Sequence, residues 1–206
     1  MAAAVMNESA SLRPFFLVLL GFALLVGGCG PASPERPDLA GATMGGPFSL
    51  QGSNGRRVSD REFAGKYRIV YFGYTFCPDV CPVDLQVVGA GLRQFEQSDP
   101  ERAARVQPIF ISVDPRRDTP DVLRQYVAAF HPRLIGLTGS EAEIARVARA
   151  YGVYYSIEPP ARPGGEYLVS HSRLIVLYGP QGEPIAILPH DQGAAGLAAQ
   201  LDRWVR

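Results

Sequence analysis

The sequence predicts an α/β fold in which a mixed sheet is flanked by helices, opened by an N-terminal hairpin and closed by a C-terminal β-hairpin and a helix. Short apolar runs rich in β-branched and aromatic residues alternate with segments of helical periodicity, the pattern of parallel βαβ crossovers. The last two strand-like segments are joined by a tight turn, which adds an antiparallel edge. A chain of 206 residues with 47% hydrophobic and 19% charged residues has the length and apolar content for one ordinary core.

The elements follow in chain order. "FSLQGSNGRRVS" carries Asn54-Gly55 between two short segments, a hairpin signal in which both central residues take positive φ. "YRIVYFGYT" suits a strand buried on both faces. After it, Leu85, Val88, Leu92 and Phe95 recur at helical spacing on one face. "VQPIFISVD" is a second buried strand, and "TPDVLRQYVAAF" a helix with Thr119 at its N-cap and Pro120 in its first turn. "RLIGLTG" is a third strand. "SEAEIARVARAYG" is capped by Ser140 and ends before Gly152, with acids in its first turn and arginines in its last. "SRLIVLY" and "EPIAILP" pair across Gly179-Pro180-Gln181-Gly182, and "AAGLAAQLDRWVR" closes the chain as a helix. This order is compatible with a thioredoxin-like domain over residues 47–206.

Upstream of the domain the composition changes twice. Residues 15–28 form an apolar stretch shorter than the roughly 20 residues of a membrane span, with the length of a secretory h-region. Val26-Gly27-Gly28-Cys29 follows and resembles a bacterial lipobox. The expectation is a lipoprotein-type signal peptide over 1–28, lipidation at Cys29, and a lipid-anchored protein on the extracytoplasmic face of a membrane in a bacterial cell envelope. Residues 29–46, rich in Pro, Gly, Ala and Ser, have too little apolar content to offset ordering and are expected to be a tether. Lys+Arg and Asp+Glu each number 20, so no basic surplus exists for nucleic acid.

The chemistry concentrates in "YTFCPDVCP". Pro78 and Pro82 push Cys77 and Cys81 out of helical geometry, which predicts Pro82 in the first helical position, Cys81 as N-cap and Asp84 in the first turn. Free amide groups at that helix start are expected to lower the Cys81 thiol pKa. A structural disulfide closing so short a loop restrains the unfolded chain weakly, so a labile redox pair or a metal clasp is the better use of the spacing. Two thiolates need a third ligand to complete a metal site, and the chain offers His131, His171 and His190. Each has an ordinary structural explanation: a helix end, the mouth of a strand and a polar loop. Asp114 beside Pro115 reads as a turn former.

"VYFGYTFCPDVCP", "IFISVDPRRDTP", "LIGLTGSEAEIARVARAYGVYYS" and "YLVSHSRLIVLYGPQGE" occur in this order over nearly the whole folded part. Together they resemble the Sco/SenC family of copper-binding cytochrome oxidase assembly proteins. The resemblance implies a thioredoxin fold and a copper site, for Cu(I) and Cu(II), built from Cys77, Cys81 and His171. It also implies a non-enzymatic metallochaperone whose partner is the cytochrome c oxidase subunit carrying the CuA site, with a periplasmic copper donor or thiol reductant as further partner. Family members usually have Asp before that histidine, where this chain has Ser170. The competing function is a thiol-disulfide reductase that keeps the oxidase's copper-ligand cysteines reduced. Against general dithiol exchange stand the CxxxC spacing, one residue longer than CxxC, and the absence of a proline before "SRLIVLY". A thiol peroxidase would leave the His171 match without a role.

Overall fold

The computed structural model describes residues 35–160 and 162–206; the signal-peptide expectation and Cys29 lie outside them. Strands β1 (Ser49–Gly52) and β2 (Arg57–Ser59) form the expected N-terminal hairpin. Its turn differs from the expected one. Only Gly55 has positive φ, while the Asn54 side chain accepts the Arg56 N–H at 3.1 Å, so asparagine serves as a local acceptor and glycine alone takes the left-handed conformation.

β3 (Tyr67–Gly73) is buried along its whole length. It pairs in parallel with β4 (Val106–Ser112), which pairs in parallel with β5 (Ile135–Thr138). The crossovers are α1 (Val80–Ser98) with a short α2 (Pro100–Ala104), then α3 (Pro120–Ala128). After β5 comes α4 (Glu141–Ala150). The expected caps are present: Thr119 accepts the Val122 N–H, and Ser140 forms a capping box with Glu143. Leu85, Val88, Leu92 and Phe95 are all buried on one side of α1, as helical periodicity requires. β8 (Ile175–Tyr178) and β9 (Pro184–Leu188) make the terminal hairpin, and α5 (Gly193–Trp204) follows.

The sheet order is β2-β1-β5-β4-β3-β8-β9, parallel in the middle and antiparallel towards both edges. A separate two-stranded sheet, β6 (Tyr155–Glu158) and β7 (Leu168–His171), lies outside the elements expected from sequence. It leaves Ile157 and Leu168 exposed, so it lacks the alternating pattern of a half-buried hairpin.

Residues 37–46 are more ordered than a tether. The Leu39 N–H bonds the Ile185 carbonyl at 2.9 Å and the Gly45 N–H bonds the Ala150 carbonyl at 2.8 Å. Leu39 and Met44 also pack on the core, so a few apolar side chains and backbone bonds hold a stretch whose average composition is that of a linker.

Candidate metal centre

The C-terminal end of β3 and the start of α1 bring the two cysteines together, and β7 brings the histidine. Sγ of Cys77, Sγ of Cys81 and a ring nitrogen of His171 all lie within 4.8 Å of one another. Cys81 Sγ is 3.2 Å from His171 Nε2, although ninety residues separate them. His171 Nδ1 lies 3.1 Å from the Ser172 carbonyl. A carbonyl can only accept, so Nδ1 carries the proton and the Nε2 lone pair faces the sulfur. Tyr71 and Tyr74 set their rings edge-on to the imidazole, with centroids 6.1 Å away in each case. Cys77 is half-buried and Cys81 buried, both as free thiols. Cys77 and His171 line a cleft with Tyr74, Asp79 and Glu158, which gives an incoming ion or thiol a way in.

The helix start departs from the sequence expectation. α1 begins at Val80, so Cys81 is its second residue and Pro82 its third. Proline is tolerated there because the first amide groups of a helix have no intrahelical acceptor. The Cys81 N–H instead donates to Cys77 Sγ at 3.4 Å, and that contact joins the two cysteines through the helix end. The expected lowering of the Cys81 thiol pKa is also corrected. Burial pushes it up, and the neighbouring Cys77 sulfur pushes the same way. Burial likewise lowers the His171 pKa, leaving a neutral imidazole with a free lone pair. A metal ion entering this site therefore displaces the Cys81 proton.

The other histidines lie elsewhere. His131 is buried; its Nδ1 accepts the Arg133 N–H at 3.2 Å and its Nε2 faces Glu96 at 3.3 Å. His190 stands 3.9 Å from Asp191. Among the described residues, only the group of Cys77, Cys81 and His171 brings three such ligand atoms together.

Several residues for which no role at the site is expected from sequence hold this arrangement. Asp84, fully buried, accepts the Tyr71 hydroxyl at 2.9 Å and two Arg173 nitrogens at 2.6–3.0 Å. Helix α1 is thereby tied to the segment two residues beyond His171. Gly73 makes room for the sulfur, since a Cβ there would lie 2.9 Å from Cys81 Sγ and 3.0 Å from Phe110. Arg117 spans the two halves of the site. It pairs with Asp114 at 2.5 Å, donates to the Tyr167 carbonyl at 3.0 Å, and lies 3.6 Å from the Tyr167 ring centroid and 4.9 Å from that of Phe76. Asp118 accepts the Thr75 N–H at 3.0 Å and hydroxyls of Thr75 and Ser112, which fixes the loop before Cys77. Asp114 accepts the Tyr167 hydroxyl at 2.7 Å, so it braces the hairpin as well as shaping a turn. The signal available in sequence was charge within "SVDPRRDTP" and "HSRL" beside apolar strands.

The SCO1/SenC family profile matches residues 36–206. The chain belongs to the SCO1/SenC family. Among curated relatives it is 41% identical to Protein SCO2, mitochondrial, of Saccharomyces cerevisiae over 145 residues, 70% of this chain and 47% of that one. It is 38% identical to the human Protein SCO1 homolog, mitochondrial, over 163 residues, 79% and 53% of the two chains. The chain thus matches about half the length of these relatives. The copper-bound crystal structure of Arabidopsis thaliana ScoI superposes with a TM-score of 0.71 at 39% identity, covering 78% of this chain and 97% of that one. The mixed sheet flanked by helices is therefore the thioredoxin-like fold of Sco structures. The relatives correct one expectation: they are mitochondrial proteins, which overturns the bacterial cell-envelope lipoprotein. That expectation rested on sequence pattern alone, and a short apolar run ahead of a cysteine does not by itself identify a compartment.

Proposed function

We propose that this SCO1/SenC family member is a copper metallochaperone that carries copper on Cys77, Cys81 and His171 for assembly of the CuA site of a cytochrome c oxidase. One observation carries the reading: two thiols and an imidazole with a free Nε2 lone pair converge within 4.8 Å at the edge of a cleft. Soft thiolates favour Cu(I), and an imidazole nitrogen helps the same set accept Cu(II). Copper is cargo here, so a site that exposes one sulfur and one nitrogen suits transfer to another set of thiolates and imidazoles. The copper-bound relatives support the same assignment. A thiol-disulfide reductase would use the cysteines but has no need of a third donor facing Cys81 Sγ.

The test is titration of the reduced chain with each oxidation state. His171→Ala is expected to weaken Cu(I) modestly, because two thiolates remain, and Cu(II) more strongly, with a change in its sulfur charge-transfer absorption. Cys77→Ala with Cys81→Ala is expected to abolish both, and the oxidised disulfide form to take up no copper. Copper affinity unchanged in the double cysteine variant would sink the proposal.

A further inference from the structure

Near the start of β3, at the end of that strand opposite the cysteines, lies a cavity of about 570 Å³ bounded by residues 46–47, 60–61, 63–65 and 180–182, with Arg68 in its wall. The volume is that of an ordinary small-molecule pocket. Arg68 is 6% exposed, a burial at which a guanidinium is normally matched by a carboxylate or by several carbonyl oxygens. Here its Nε–H is buried without an acceptor, and among the described residues no carboxylate pairs with it. Its Cζ lies 5.8 Å from the centroid of the Tyr178 ring. The head reaches the cavity lining: a Cβ added at Gly182 would lie 2.7 Å from Arg68 Nη2, so the space over residue 182 is taken by the guanidinium edge.

We propose that this cavity binds a small organic monocarboxylate, with Arg68 as its anchoring residue. A guanidinium presents two parallel N–H groups to a carboxylate; here the Nη edge that reaches residue 182 is the part open to a ligand, while the buried Nε–H lies out of its reach. The charge in the lining selects a monoanion. Arg61 and Arg68 are opposed by Asp60, whose Oδ1 is already engaged by the Phe48 N–H at 3.1 Å, leaving a surplus of one positive charge. Pro47, Phe63 and Pro180 supply apolar wall for the ligand's carbon skeleton. The site uses none of the residues of the metal centre, so it stands or falls apart from the copper reading.

The probes are acetate and butyrate, with inorganic phosphate as contrast, titrated calorimetrically into the full chain at constant ionic strength with chloride as the balancing anion. The expected result is saturable one-site binding, tighter for butyrate than for acetate and weaker for phosphate. It should fall at least tenfold in Arg68→Gln. Asp60→Asn removes the opposing charge and keeps an acceptor for Phe48, so it should tighten butyrate several-fold; this arm remains decisive if Arg68→Gln folds poorly. Binding that is absent, non-saturable or equal in Arg68→Gln overturns the proposal. So does a preference for phosphate, or weaker butyrate binding in Asp60→Asn, which would mean that Arg68 and Asp60 satisfy each other through water.

Discussion

Asp84 and Arg173 form an unequal ion pair, and the inequality predicts unequal mutational costs. Asp84 is fully buried while the Arg173 side chain is 37% exposed. Replacing Arg173 by Met strands a carboxylate in the core, facing only the Tyr71 hydroxyl. Breaking a buried pair in that way costs about 3–5 kcal/mol. Replacing Asp84 by Asn keeps one carbonyl oxygen as acceptor for Arg173 and turns an amide N–H towards the Tyr71 oxygen, which can accept it, and the freed guanidinium charge can hydrate through its exposed side. The expected cost is that of weakened charged hydrogen bonds, about 1–3 kcal/mol. The difference, about 2 kcal/mol, is roughly a thirtyfold ratio between the two unfolding constants. Urea unfolding of both variants at neutral pH, with the copper-free dithiol protein, measures it directly. Because Arg173 lies two residues beyond His171, Arg173→Met should also alter the Cu(II) absorption, while Asp84→Asn should change it less. Equal destabilisation, or greater loss in Asp84→Asn, would refute the reasoning that burial of the acid dominates this contact.

Gly73→Ala places a methyl group 2.9 Å from Cys81 Sγ and 3.0 Å from Phe110, so the sulfur must move. The expected cost is about 1–3 kcal/mol of stability, together with a shifted Cu(II) spectrum; an unshifted spectrum would show that the sulfur is not confined. Burial lowers the His131 pKa below its ordinary value, so the unfolded chain binds the proton first as pH falls. Its stabilising contribution is complete above about pH 6.5 and declines below that, by at most about 1.4 kcal/mol per pH unit for one proton. His131→Gln should flatten the fall in urea midpoint between pH 7.5 and 5.5 without altering copper affinity, and a pH profile as steep as the parent's would exclude this histidine as the cause.

What could be read in the sequence is what short-range physics controls. The caps at Thr119 and Ser140, the buried face of α1 and the runs of β3 and β4 each follow from residues a few positions apart, and the structure has them where periodicity puts them. The cysteine pair was equally legible, because four residues define it. The same local reasoning misjudged the start of α1 and the Cys81 thiol. It counted the free amides of a helix end but not the burial that opposes an anion there.

The rest depended on tertiary contacts. Composition leaves His131, His171 and His190 equivalent, and only family resemblance singled out His171 in the sequence. In the structure the choice is made by the β6–β7 pairing, with Tyr155 opposite His171, and by the ties from Asp84 and Arg117 to residues some 50 to 90 positions away. Arg68 makes the same point from the other side: in sequence it is one arginine within an apolar strand, and only closure of the 180–182 turn over it leaves a buried charge facing a cavity. Local sequence determines which segments are helix or strand because backbone sterics and side-chain periodicity act within a few residues. Which donors meet, and which charge is left unpaired, is decided by the order in which the strands pack, since the energies of burial and pairing arise only when distant residues share one low-dielectric space.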